Sequence, residues 1–467
     1  ALWERGEDGR SYLLRIDGGH SFHRCVYLED RTGREMVRTL GSVLARRHVP
    51  VYESIMITRL LVDQEGVCGA VGVDLTSAEP LLFQCRALVL ATGGAGNVYL
   101  NTDCPADVTG DGYALALEAG AQLMDMEFVQ FYPIGFLHPP SLRGVLAGLL
   151  YYSHLLNNRG ERFMARYDPA RMERSTRDLV ARAAFLEVQA GRGSPHGGVW
   201  LDVSHLGAAV VERTFRGMVK RCRDFGRDLA REPVEVGPTA HFLMGGVVVD
   251  PTCRTAIEGL FAAGEDAGGV HGANRLGGNG VADSTVFGGI AGDVMAAFVE
   301  GRPTPRVDPD AFRATAAALT APLARPPGVD LYALQRELRE VMWTRAGLVR
   351  DAAGLEEALA VIDRLEAALD TVGVAGPRAL NLAWQDWLNL RSQLAAARLV
   401  VASARERRES RGAHYRADHP EAAPGPLYHV RVQRAPDGGL RVWRAPVHFT
   451  RAAPPASPAP AAVEIGD

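Results

Sequence analysis

HGANRLGGNG, residues 271–280, packs four glycines around three side chains able to bind a ligand, His271, Asn274 and Arg275. Glycine loses more backbone entropy on folding than any other residue, so this density implies a chain that bends sharply or lies against a ligand. Two earlier stretches share the pattern. RALVLATGGAG (86–96) is an apolar strand running into a glycine turn, and GLFAAGE (259–265) ends the same way with an acid attached. Each turn lets backbone N–H groups approach a phosphate or a flat ring without interference from a Cβ. Glu265, directly after its strand, suits hydrogen bonds from ribose or ribityl hydroxyls. One such turn is equally well a structural bend; three in this order point to a nucleotide cofactor.

The 467 residues, 47% hydrophobic and 23% charged, are enough for more than one domain. A formal net charge of −4 without a long basic run argues against a nucleic-acid surface. Lys220 is the single lysine, and no Gly-x-x-x-x-Gly-Lys-Ser/Thr phosphate loop occurs. Cys25, Cys68, Cys85, Cys104, Cys222 and Cys253 stand apart from any metal or redox spacing, so they read as reduced thiols rather than cluster ligands. No uninterrupted apolar run reaches the roughly 20 residues of a membrane span. The start, ALWERGEDGRSYLLRIDGG, carries no signal peptide and reads like the middle of a protein. The usual Gly-x-Gly-x-x-Gly fingerprint is therefore expected upstream of residue 1.

Residues 50–94 read as strands, with a hairpin around an acidic-glycine turn. TGDGYALALEAGA (109–121) reads as a helix that Gly120 ends. A helix is expected from about Asp283 to Ala297. Residues 308–405 carry helical periodicity and predict a bundle. LYHVRVQRAPDGGLRVWRAPVHF (427–449) alternates around a Pro-Asp-Gly-Gly turn as a small β unit, and the Pro/Ala-rich residues 451–467 read as a disordered tail.

Nine segments in consistent order resemble the flavoprotein subunits of succinate dehydrogenase and fumarate reductase, with L-aspartate oxidase close by. They are GGHSFHR, DRTGREMVRTL, ALVLATGGAGNVY, VTGDGYALALEAGAQLMDMEFVQF, TRDLVARAAF, PTAHFLMGG, GLFAAGE, HGANRLGGN and RESRGAH. The resemblance implies an α/β FAD-binding domain (1–129 and 242–302, its N-terminal part missing) interrupted by an α+β capping domain (130–241). A helical domain (303–408) and a small β-containing C-terminal domain (409–450) would follow. FAD is the implied cofactor, held by Thr92, Gly93, Gly94, Asp111, Glu265, Arg275, Asn279 and Gly280. Arg275 and His241 would bind a substrate carboxylate, and Arg177 would deliver a proton while FAD delivers hydride. An arginine serves as an acid only where burial and neighbouring cations lower its pKa. The implied partners are a small carboxylic, expected dicarboxylic, acid and a separate iron–sulfur subunit. Cytoplasmic placement, with membrane association through partner subunits, follows from the same resemblance.

Three departures concern the far end of the substrate. Where the family has a Gln-Tyr/Phe-His-Pro-Thr-Gly segment, this chain has QFYPIGF, so Tyr132 replaces the histidine and Ile134 the threonine. VLAGLLYY takes the place of Thr-Glu-Gly…Arg-Gly-Glu-Gly, setting Val145 and Leu146 where a hydroxyl and an acid are expected. Each lost charge-assisted contact is worth roughly 1.5–3 kcal/mol. Asp17, in RIDGGHS, stands where the succinate enzymes tend to have Phe; L-aspartate oxidases have an acid there, suited to a substrate ammonium. These departures leave three readings open: a dicarboxylate enzyme, an L-aspartate oxidase-like enzyme, and a relative that takes a less polar acid. A non-catalytic flavoprotein is the reading from a different class.

Overall fold

The computed structural model describes residues 1–16, 20–28 and 31–449, so Asp17 and the expected tail at 451–467 lie outside the described residues. A short antiparallel pair, β1 (Leu14–Arg15) and β2 (Cys25–Val26), precedes helix α1 (Thr32–Arg46). Strands β3 (Ile55–Asp63), β4 (Gly66–Asp74) and β5 (Pro80–Gln84) form an antiparallel sheet. The β3–β4 hairpin closes as its acidic-glycine turn requires: Asp63 Oδ1 accepts from the Glu65 and Gly66 amides at 2.8 and 3.1 Å. Strand β6 (Leu88–Leu90) delivers the first glycine turn, and helix α2 (Asp111–Glu118) follows, with Gly120 at φ 88° ending it.

After β7 (Leu123–Met124) the chain enters a second body. Strand β8 (Val129–Phe136) leads to β9 (His154–Leu156), α3 (Met164–Tyr167), α4 (Arg177–Glu187), β10 (Val199–Asp202), α5 (Ala208–Thr214) and α6 (Arg216–Asp224), and β11 (Val234–Leu243) leads back. The sheet order is β8-β11-β10-β9. Ile134, Phe136, Leu155, Val180, Val199 and Val236 fill a core of their own, separate from the main one.

The chain then returns through β12 (Gly246–Val247) and β13 (Leu260–Ala262), which pairs in parallel with β6. Both strands of that pair are wholly apolar; β13 is buried throughout, whereas Val89 of β6 is exposed. Helix α7 (Asn279–Val299) starts four residues before the expected Asp283, because Gly278 at φ 73° supplies a left-handed N-cap. Glycines that read as loop in the sequence thus form the cap and first turn of a helix. By length and a mean hydropathy of 1.2, α7 is also long and apolar enough to cross a membrane, which a search for uninterrupted apolar runs misses. It nonetheless carries Asp283 and Asp293, and Asp283 is buried against His271 of the glycine loop.

Helices α9 (Leu331–Arg345), α10 (Ala352–Leu369) and α11 (Leu382–Glu406) form the bundle, while α8 (Pro309–Thr320) lies against β4 and meets α11 where its Leu319 carbonyl accepts from Trp384 Nε1. Asp308, Asp330, Asp351 and Asn381 each cap one of them by accepting backbone N–H bonds. On α10, Leu355, Ala358, Ile362, Leu365 and Leu369 face inward at helical spacing. Strands β14 (Tyr428–Arg434) and β15 (Leu440–Pro446) form the expected hairpin, but they do not stand alone. They extend β12 and β7 into one sheet of order β12-β7-β14-β15.

Candidate active site

The glycine loop 271–278 sits where the two bodies meet. Arg275 is buried to 7% exposure, with its guanidinium 4.6 Å from the centre of the Phe242 ring. A Cβ on Gly280 would lie 3.0 Å from that ring and 3.4 Å from Arg275 Nη1, so the glycine gives the guanidinium room. From the other side, buried His20 accepts a 2.6 Å bond at Nδ1 from Arg24 Nε, and its Nε2 meets the Gly277 carbonyl at 2.6 Å. His20 thereby fixes the end of the loop.

His241 meets Arg275 because β11 is irregular. Ala240 pairs with Phe131 and Phe242 with the next residue back, Gln130, so His241 is the extra residue of a bulge. Such bulges re-aim side chains. Here His241 Nε2 lies 2.8 Å from Arg275 Nη2, while Nδ1 lies 2.6 Å from Asp103 Oδ2. The Tyr132 ring is centred 5.5 Å from that of His241, and the Arg177 guanidinium lies 5.0 Å from the centre of the Tyr132 ring. Four residues expected from sequence, Arg177, His241, Arg275 and Tyr132, therefore form one cluster.

The flanking amides link the bodies. Gln130 Nε2 donates to Asn274 Oδ1 and to the Arg275 carbonyl, both at 2.8 Å, and Asn274 Nδ2 donates to Asp178 Oδ1 at 3.1 Å. His271 is a brace: its Nε2 lies 3.2 Å from Asp283 Oδ2, and its ring meets Phe242 edge-on. At the distal end, Val145 packs with Tyr132 against the core of the second body, and Leu146 bridges to Gly135 of β8.

The glycine turns converge with their acids. Asp266 builds the first turn by accepting from the Thr92 amide and, at 3.0 Å, from Thr92 Oγ1; that hydroxyl in turn accepts from Gly112 N at 2.9 Å. Gly93 and Gly94 have φ of 91° and 87°. A Cβ on Gly94 would strike the Glu265 carboxyl, whereas one on Gly93 would meet nothing within 4 Å. The open side of Gly93, the helix N-terminus at Asn279 and the half-buried Glu265 form a cradle that fits a flavin nucleotide. Asp111 faces elsewhere: it accepts from Thr109 Oγ1 at 3.1 Å and from Ser392 of α11, and burial raises its pKa.

Residues 1–281 match the family described as FAD binding domain, and residues 335–459 that described as Fumarate reductase flavoprotein C-term. A fumarate reductase (CoM/CoB) subunit of Methanothermobacter marburgensis is 43% identical over 91% of this chain and 77% of its own length. The chain belongs to the succinate dehydrogenase/fumarate reductase flavoprotein family.

It is an FAD-dependent oxidoreductase of the CH–CH class. An L-aspartate oxidase of Nostoc sp. is 33% identical over 94% of this chain and 78% of its own length. The solved structure of Mycobacterium smegmatis Sdh1 in complex with UQ1 has a TM-score of 0.87 at 35% identity, covering 96% of this chain and 78% of that one. The expected fold class is borne out: an FAD-binding domain with an inserted cap, a helical region and a strand-containing C-terminal unit.

Sequence reasoning missed Asp103 and Asp266. The DG at 111–112 and the GED at 264–266 each hold acids, but nothing in the sequence says which one turns inward. Glu265 Oε1 accepts from Leu243 N at 3.0 Å. Burial, helped by the neighbouring Asp266 and Asp103, outweighs that bond and the pull of Arg275, pushing the carboxyl from 4.5 up to about 8. The folded protein therefore keeps Glu265 neutral where the unfolded chain has ionised it. The stability from this neutral carboxyl is complete below pH 4.5 and is lost as pH rises through about 8. Glu265→Gln removes that loss. The holoprotein variant should gain thermal midpoint over the parent between pH 5 and roughly 8.5; parallel pH profiles would contradict the assignment.

Proposed function

We propose that this flavoprotein interconverts a small carboxylic acid and its α,β-unsaturated counterpart, with Arg275 and His241 holding the carboxylate beside the reacting carbons. The observation that carries this is the buried Arg275 guanidinium, placed by Gly280 and bonded to His241 at 2.8 Å. A planar guanidinium offers two parallel N–H donors to a carboxylate, a fit that an ammonium lacks. FAD, when bound, supplies the hydride acceptor or donor. Thr92, Gly93, Gly94, Glu265, Asn279 and Gly280, with Arg275, are the residues we assign to hold it; Asp111, expected from sequence to join them, is instead engaged by Thr109 and Ser392.

Arg177 stands at the first turn of α4, over the Tyr132 ring, and is the proposed proton donor and acceptor at the substrate carbon. Polarising the carboxylate through Arg275 and His241 stabilises negative charge that develops on the unsaturated acid as the C–H bond forms or breaks. Asn274, tied to both Gln130 and Asp178, keeps cap and loop in register while this happens.

Electrons leave, in this proposal, through a separate iron–sulfur subunit that also brings the protein to a membrane. Among the described residues no group of three or more His, Cys, Asp or Glu could hold a metal, and no disulfide joins the six cysteines.

Titrating the anaerobic holoprotein with succinate, and separately with L-aspartate, tests the reaction. Bleaching by succinate supports the dicarboxylate reading; bleaching by aspartate alone transfers it to an amino-acid oxidase in which Asp17 holds the ammonium. Silence with both acids overturns the dicarboxylate and amino-acid readings and leaves that of a less polar acid. The distal wall gives a second test. Tyr132→His returns a cation to the far end, so KM for succinate should fall about tenfold, the worth of one charge-assisted bond. An unchanged KM would remove Tyr132 from the substrate's distal contacts.

A further inference from the structure

Asp103, His241 and Arg275 stand in line, with contacts of 2.6 Å and 2.8 Å at the two ring nitrogens. Arginine has only donors, so Nε2 facing Arg275 Nη2 must accept. The ring proton then sits on Nδ1 and is donated to Asp103. This hydrogen-bond logic assigns a tautomer, and with it a consequence for ligand binding.

A substrate carboxylate has only acceptors. For His241 to hold one together with Arg275, as proposed above, Nε2 must become a donor, so the ring must gain a proton. We propose that Asp103 is a positioning residue that fixes His241 and carries its counter-charge, so that carboxylate binding draws one proton from solvent onto His241 Nε2. Charge balances: the carboxylate brings one negative charge, the proton one positive, and Asp103 and Arg275 stay as they were. The bound proton takes no part in the redox step.

The backbone supports this role. Asp103 N and Thr102 Oγ1 both donate to the Ala240 carbonyl, at 3.2 and 3.0 Å, and Ala240 N donates to the Asn101 carbonyl at 2.8 Å. Residues 101–103 are thus bound to β11 beside the bulge that turns His241 out. The charged and titratable groups around His241 come from every packed element. They are Arg275 from the glycine loop, Tyr132 from β8 with Arg177 of α4 over its ring, and Glu265 beyond Arg275. Cys104, next to Asp103, has its thiol pushed up to about 12 by burial and stays protonated. Glu265, with its carboxyl near 8, is largely neutral at pH 7. Asp178 is engaged by Asn274. Among the described residues, Asp103 is therefore the carboxylate that bears directly on His241.

The test uses malonate, a short dicarboxylate with no CH–CH bond to oxidise, added to the holoprotein and to its Asp103→Asn and Arg275→Gln variants. Binding is read from the flavin spectrum across pH, and proton uptake from calorimetry in two buffers of different ionisation enthalpy. The wild type should take up close to one proton per malonate in mildly alkaline solution, its affinity falling about tenfold per pH unit there. Asn at 103 can still accept from Nδ1 but carries no charge. That variant should bind about tenfold more weakly at pH 8 and take up far less proton, for loss of a roughly 1.4 kcal/mol interaction. Equal proton uptake and pH slopes in wild type and Asp103→Asn would overturn the role of Asp103. No uptake by the wild type alone would do so even if the variant failed to fold. Malonate binding that ignores Arg275→Gln would instead overturn the clamp on which this inference rests.

Discussion

Arg275→Gln should lower kcat/KM for the carboxylate substrate by roughly 10²–10⁴-fold, from loss of two charge-assisted hydrogen bonds worth about 1.5–3 kcal/mol each. The guanidinium is buried beside Phe242 and His241, so water cannot take over its role cheaply. Arg275→Lys should fall between the two. It keeps a charge, but it loses the planar fork and the stacking on Phe242, itself worth about 0.5–1 kcal/mol. Steady-state kinetics joined to flavin titrations separates binding from turnover. A loss under tenfold for Arg275→Gln would mean that the carboxylate is held elsewhere.

The largest stability loss is expected at Arg407→Ala, about 3–5 kcal/mol. Arg407 is 1% exposed, at the end of α11, and gathers three acids. Its Nε binds Glu127, its Nη1 binds Glu409 at 2.9 Å, and its Nη2 binds Asp125 at 3.1 Å. Phe128 and Tyr428 cover its faces at 4.7 and 4.6 Å. Burial, together with the neighbouring Asp125, pushes Glu127 upward against the pull of Arg407. Glu409 keeps Arg411 and Asp125 keeps His429, so deleting the guanidinium strands Glu127 above all. Adding Glu127→Gln to Arg407→Ala should restore part of the loss, because one of the stranded charges is gone. Urea unfolding of the single and double variants checks both statements; a single variant within about 1 kcal/mol of the parent would show that the network contributes little. The same loop reaches the active site, since Ala413 N donates to the Ala273 carbonyl at 2.9 Å. Arg407→Ala should accordingly disturb carboxylate binding as well as folding.

Much of the fold was legible because its signals are local. The β3–β4 hairpin, the helix ended by Gly120, the capped bundle helices and the β14–β15 hairpin each follow from neighbours within a few residues. Arg177, His241, Arg275 and Tyr132 were legible for a different reason, as parts of motifs whose family places them together. Asp103 was not. It lies 138 positions from His241 in sequence, and its contact depends on a bulge that no periodicity announces. Asp266 was hidden beside Glu265: two adjacent acids look alike in sequence, and only the path of β6 against β13 decides which one builds the Thr92 turn. Arg407, one of fifty arginines, could not be told from a surface ion pair until burial was known.

The sequence by itself determined where the glycines must bend the chain, which segments are helix or strand, and which chemical groups are available to meet a flavin and a carboxylate. These depend on dihedral preference and side-chain period, which act over a few residues. Tertiary structure alone decided that β12 and β7 complete the C-terminal hairpin's sheet, that Glu265 is a neutral acid while Asp266 builds a turn, and that a carboxylate stands behind His241. Desolvation and hydrogen bonding at short range set those properties. Both depend on which distant segments are packed together.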